Sequence, residues 1–213
     1  METQTHYMKK PTQRALVRHL DGDFYTKYLA RHYDKLTKMT GWRKKIAQHA
    51  LDGVAPCKML DVGCGTGYLL SIAQSRGFDV TGVDPSKGML EQAHRDYGIS
   101  HDKLVHSTAE KLPFADASFD FVVASGSLSY VPQVEFAIKE IVRVAKKGVL
   151  IRVIDHTTAR KKKITAGFWF AYTQASGFIF HDYEYYFKQC GVPEVGHRNL
   201  GRGGFMQMFD YRK

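Results

Sequence analysis

A chain of 213 residues, 44% hydrophobic and 24% charged, has the size and balance of one globular domain with a full core, which excludes a disordered or fibrous polypeptide. No apolar run reaches the ~18 residues of a spanning helix, and Met1 to Arg18 is polar and basic, without the apolar stretch of a signal peptide. Lysine and arginine outnumber aspartate and glutamate by 31 to 21, a net charge of +10, which favours anionic partners or serves plain solubility.

The missing leader predicts a cytoplasmic location, peripheral to a membrane if the basic charge meets lipid. Cys57, Cys64 and Cys190 are odd in number and lack metal-ligand spacing, which fits a reducing compartment and argues against zinc. Met1 to Asp23 has weak periodicity and reads as a basic arm, residues 1–23. Phe24 to Leu51 reads as one or two helices, with Phe24, Tyr25, Tyr28, Leu29 and His32, then Trp42, Ile46 and Ala50, at helical spacing around Gly41. This helical cap, 24–52, opens a single domain covering 24–213.

The stretch Leu60-Asp61-Val62-Gly63-Cys64-Gly65-Thr66-Gly67 organises the rest of the chain. Lys58 to Val62 is the first strand and Gly67 to Arg76 the first helix behind it. Glycines allow a tight turn and leave no side chain between main chain and ligand, and the new helix aims its free N–H groups and dipole at that ligand. The spacing is G-x-G-x-G, not the G-x-G-x-x-G of dinucleotide sites. Asp61, two places before the first glycine, sets a carboxylate at the strand end, where it suits a cationic group.

Asp79 to Asp84 is the second strand, ending at Asp84-Pro85-Ser86. Pro85 suits the first turn of the helix Ser86 to Tyr97. Asp84, seventeen residues past Gly67, can accept both hydroxyls of a ribose; the other reading is a helix cap. Lys103 to Ser107 is the third strand. Asp120 to Ala124 is the fourth, apolar enough to be buried on both faces, and Ser125 to Tyr130 come next, at its carboxyl end, where open α/β sheets bind ligands. Val131 to Lys147 is an amphipathic helix. Val149 to Ile154 is the fifth strand, ending at Asp155-His156. His181 to Cys190 is a short helix, and Pro193 to Leu200 and Phe205 to Arg212 are the last strands.

Residues 157–187 form an insertion with a basic run, Arg160 to Lys163, and ten aromatics among the twenty residues from Phe168 to Phe187. That composition suits a lid over a flat or greasy acceptor, a membrane interface, or plain core packing. Stacking of single-stranded nucleic acid is less favoured, because the aromatics are contiguous.

The glycine stretch resembles motif I of the class I S-adenosylmethionine (SAM) methyltransferases. Thr108-Ala109-Glu110-Lys111-Leu112-Pro113-Phe114 with Ser118-Phe119-Asp120 resembles the "D-A-x-x-L-P-F … S-F-D" passage of the UbiE-like group. Arg143-Val144-Ala145-Lys146-Lys147-Gly148 resembles its "R-V-L-K-P-G-G" without the proline. Tyr33-Asp34 resembles the tyrosine element that precedes motif I, and Asn199-Leu200 to Gly203 resembles the "N-L-x-x-G" of quinone-ring C-methyltransferases. The resemblance implies a Rossmann-like α/β fold with a mostly parallel seven-stranded sheet and helices on both faces. It implies SAM as cofactor and S-adenosylhomocysteine (SAH) as product.

It further implies that Asp61 meets the cationic amino-acid part of SAM, that the close main chain of Gly63, Cys64, Gly65 and Gly67 suits the rest, that Asp84 accepts from the ribose with Pro85 also at the cofactor, and that Tyr33 closes over the cofactor. Thr108 stands where the family has the aspartate that accepts from the adenine amino group; Ala109 main chain or Glu110 can take that contact. Ser125 would lie beside the sulfonium methyl. The reaction expected is SN2 transfer to a small, flat or lipophilic acceptor, with a phospholipid head group or RNA as alternatives. A base, where one is needed, would be His156 or Tyr130, with Asp155 and His181 as further candidates.

Overall fold

In the computed structural model, the described residues are 42–128, 131, 133–154, 182–192, 194–200 and 206–212. Five helices are present among them: α1 (Trp42–Leu51), α2 (Tyr68–Ser75), α3 (Lys87–Tyr97), α4 (Val134–Val144) and α5 (Asp182–Gln189). The strands are β1 (Lys58–Val62), β2 (Asp79–Asp84), β3 (Leu104–His106), β4 (Phe119–Ser125), β5 (Ala145–Ile154), β6 (Gly196–Leu200) and β7 (Met206–Arg212). They form one seven-stranded sheet in the order β3-β2-β1-β4-β5-β7-β6. Strands β1 to β5 run parallel, and β7 pairs antiparallel with both β5 and β6. This is the Rossmann-like sheet that the motifs imply.

Because side chains alternate along a strand, the sheet builds two cores. On one face Leu60, Val62, Val122, Ala124, Val149, Ile151 and Phe209 pack under α4 and α5. On the other Met59, Val80, Phe121, Val123, Leu150 and Met208 pack under α1, α2 and α3. The chain reverses its direction of travel across the sheet between β1 and β4. At such a switch point the two flanking loops part, and a crevice opens beyond the strand ends.

The boundary between α4 and β5 differs from the sequence expectation. The helix ends at Val144 and the strand begins at once with Ala145. Lys147 stands where the resembled motif has proline, so no N–H is missing and nothing bars early ladder pairing. Phe119 pairs with Ala145 and Phe121 with Gly148, and a bulge absorbs the extra residue. Helix α3 begins at Lys87, with Ser86 as its cap, so Pro85 precedes the helix instead of filling its first turn. None of the described helices is long and apolar enough to cross a membrane.

Candidate cofactor and active site

Strand register lines up a row of polar groups at the carboxyl edge of the sheet. Asp84 pairs with His106, and Asp61 pairs with Gly82, two places before Asp84. Asp61 also pairs with Val123, two places before Ser125, and Ser125 pairs with Arg152. Equal parity puts His106, Asp84, Asp61, Ser125 and Arg152 on one face, the face of α1 to α3. The neighbouring inward positions, Met59, Val80, Val123 and Leu150, are buried and apolar. The polar row therefore begins where the core ends.

Asp61 is 2% exposed, and its Oδ1 has no hydrogen-bond partner among the described residues. Burial, followed by the charge of Asp84, pushes its carboxyl up to about 7, with Arg152 pulling the other way. An orphaned, buried acceptor is costly unless something completes it. Asp84 is also buried, but satisfied: Oδ1 accepts from Ser86 N at 2.9 Å and Oδ2 from Gly65 N at 2.8 Å. Burial raises its carboxyl, against the two main-chain bonds and the nearby His106. The cap of α3 is Ser86, whose Oγ accepts from Met89 N at 3.3 Å, so Asp84 does not serve as that cap.

The glycine turn divides its labour. A Cβ on Gly63 would lie 2.1 Å from Ser127 Cβ, so Gly63 lets the loop after β4 close on the end of β1, where Ser127 Oγ donates to Val62 O at 2.6 Å. Gly65 is the reverse case: at φ +53 it faces open space among the described residues, with none of their atoms beyond its chain neighbours within 4 Å of an added Cβ. Gly67 caps α2 and faces Ala93 of α3, so it seats the two helices together. The Cys64 side chain is buried beside Leu70 under Gly82. Burial raises its thiol strongly. Only the main chain of Cys64 belongs to the turn.

Thr108 is exposed after β3, Ala109 is buried and Glu110 half-buried. Their loop is held by Arg143 of α4, which packs on the same face of the sheet. Its Nη1 donates to Phe114 O at 2.8 Å and its Nη2 to Leu112 O at 3.1 Å. Glu140 accepts from Leu112 N at 2.9 Å and from Arg143 Nε at 2.7 Å. Two distant signature segments, Leu112-Pro113-Phe114 and the end of α4, are thus one clamp. His106 Nε2 lies 2.9 Å from Pro85 O and ties the ends of β2 and β3. Tyr33, Tyr130, Asp155, His156 and His181 lie outside the described residues.

Sequence reasoning missed Arg152. It is 7% exposed, and its Nε donates to Ser125 Oγ at 3.0 Å. The signal was a single charge inside Val149-Leu150-Ile151-Arg152-Val153-Ile154. A charge in a buried strand requires a partner or a function.

An open notch of bare main chain, an orphaned carboxylate beside it and a second carboxylate one strand away fit a hydroxylated, cationic nucleoside. Residues 60–153, which contain the whole polar row, match the methyltransferase domain family. Over those residues the chain is similar to a methyltransferase domain. The chain is 36% identical over 138 residues to a demethylmenaquinone methyltransferase of Staphylococcus aureus, an alignment covering 60% of this chain and 56% of that protein. The chain thus spans little more than half the length of the curated relatives it matches.

The fold is similar to a SAM-dependent methyltransferase of Thermotoga maritima at TM-score 0.65 and 20% identity, covering 87% of this chain and 98% of that one. It is also similar to a magnesium protoporphyrin IX methyltransferase of Synechocystis solved with SAH bound, at TM-score 0.65 and 14% identity, covering 90% and 96%. The domain has the class I methyltransferase fold, and the Synechocystis enzyme binds SAH or SAM in its structures.

Proposed function

We propose that this chain transfers the methyl group of SAM, by in-line SN2 displacement, to a small, flat and lipophilic acceptor of the quinol type. The orphaned Asp61 Oδ1 beside the open Gly65 notch carries the cofactor half of this reading. The similarity to demethylmenaquinone methyltransferases and the six aromatics among residues 168–180 support the acceptor half; Tyr183, Tyr186 and Phe187, expected in the lid, are instead buried in the core by α5.

SAM supplies a methyl group already activated on a sulfonium. The protein has to align and to exclude water, and positioning of that kind can supply much of the rate. In this reading Asp61 holds the ammonium of the cofactor, and ionises to do so. Asp84, fixed by two main-chain donors, still has lone pairs to offer ribose hydroxyls. The Thr108 to Glu110 loop, held by the Arg143 clamp, meets the adenine. Ser125 borders the path of the methyl. His156, which follows β5 in the sequence, takes the acceptor proton, with Tyr130 as the second candidate. A net charge of +10 would draw the chain to anionic lipid, where a lipophilic acceptor is found.

The deciding experiment offers quinol rings, phospholipid vesicles and total RNA separately to the protein with methyl-labelled SAM. Label is expected in the quinol arm, with burial of the ring in a vesicle raising the rate. Label confined to phospholipid or RNA overturns the acceptor. Replacing His156 by Ala should slow turnover at least tenfold with SAH affinity unchanged by calorimetry; full turnover removes it as the base.

A further inference from the structure

Arg152 has no role in the cofactor contacts assigned to Asp61 and Asp84. It stands in β5, one strand beyond β4, on the face that carries both carboxylates. Its stem crosses toward β1: Nε donates to Ser125 Oγ at 3.0 Å, and a Cβ on Gly126 would lie 2.9 Å from its Nη2. Gly126 N donates to Arg152 O at 2.8 Å, which locks the two strand ends together. The guanidinium thus lies over the end of β4, between β5 and the orphaned Asp61 Oδ1. Adjacent strands are ~4.8 Å apart, so Asp61 and a guanidinium reaching over β4 stand about one strand apart.

From β2 to β5, the edge presents a carboxylate, a carboxylate with an open acceptor, a hydroxyl and a guanidinium. SAM presents, in the same order, ribose hydroxyls, an ammonium and a carboxylate. Arginine is suited to the last of these, because its planar fork matches a carboxylate with two parallel hydrogen bonds. We propose that Arg152 receives the carboxylate of the SAM amino-acid group while Asp61 holds its ammonium, so that the methionine part lies across the ends of β1, β4 and β5. The proposal rests on the methyl-transfer reading and adds to it a cofactor-binding residue in β5. Holding both groups on Cα, with the ribose held at Asp84, would fix the sulfonium that lies between Cα and the ribose and aim its methyl past Ser125.

The test is calorimetry on the full chain with ligands that differ only in the amino-acid part. Wild-type protein should bind decarboxylated SAM at least tenfold more weakly than SAM. Arg152→Gln should bind SAH at least tenfold more weakly than wild type, yet keep its affinity for 5′-methylthioadenosine, which lacks the amino-acid group, within twofold. Arg152→Lys should recover part of the loss, since it keeps charge without the fork.

Equal affinity of wild-type protein for SAM and its decarboxylated form overturns the assignment and needs no variant, so a misfolded Arg152→Gln does not protect it. Equal weakening of SAH and methylthioadenosine in Arg152→Gln also overturns it, by showing a structural role. If wild-type protein takes up neither SAH nor methylthioadenosine, the methyl-transfer reading itself fails, and this proposal with it.

Discussion

At the scale of single residues, the site is built at the expense of stability. Asp61 is an ordinary carboxyl unfolded, near 3.8, and titrates at about 7 when folded. The folded state therefore holds the proton more tightly. The stabilisation from that proton is complete below about pH 4 and is lost as pH rises through 7. Above pH 7 the buried charge costs on the order of a few kcal/mol. Replacing Asp61 by Asn removes the charge and keeps the shape. In ligand-free protein the variant should melt several degrees above wild type at pH 8, with the gap closing toward pH 4. The same variant should lose at least tenfold in SAH affinity. A variant no more stable than wild type at pH 8 contradicts the buried-charge account. Because an ammonium partner needs Asp61 ionised, wild-type affinity for SAH should also fall as pH drops from 8 to 6. Gly65 supplies the steric counterpart. A valine there, at φ +53 over open space, should abolish SAH binding, and the positive φ should cost about 1–3 kcal/mol of stability. Retained binding would move the notch elsewhere.

At the scale of elements, the sequence made legible what local spacing encodes. The β1–turn–α2 unit, Asp84 at the end of β2 and the amphipathic α4 come from period and turn chemistry alone. Other features were beyond its reach. The start of β5 at Ala145 depends on a bulge opposite β4, a matter of pairing between distant segments. The burial of the Cys64 side chain and the packing role of Gly67 depend on what α2 and α3 bring against them. Arg152 could have been noticed as an isolated charge, but its membership of the polar row needs the register of four strand pairs. The Arg143 clamp is of the same kind: the sequence shows the two signature segments it joins, not the bonds. Its removal tests whether the loop after β3 is held or merely packed. Arg143→Met should cost about 2–4 kcal/mol in urea unfolding, because two loop carbonyls and Glu140 lose their partner together. It should weaken SAH several-fold by loosening the adenine side, while methyl acceptor preference stays the same. Unchanged stability would mean the loop stands without it.

At the scale of the whole molecule, the polar row crosses the point where the chain reverses direction. Asp84 and Asp61 belong to the β1–β3 half, and Ser125 and Arg152 to the β4–β5 half. Within the described residues the halves meet along β1 and β4, where three residue pairs are registered, and where Ser127 bonds to Val62. A ligand lying along the row would therefore add a second tie across this seam. It should stabilise the fold as a unit, by about 2.7 kcal/mol at a hundredfold excess over Kd, but its local effect should be uneven. Amide exchange offers the resolution to see this. With SAH added, amides of Gly63 to Gly67, Ser86, and Ser125 to Leu128 should slow the most, since they flank the notch on both sides of the switch point. Amides of β6 and β7, on the far edge of the sheet, should slow only by the global amount. Protection confined to the β1–β3 half would show that the ligand stops short of β4. In that case the polar row would be two unconnected clusters, and the β4–β5 ends would be left to the acceptor alone.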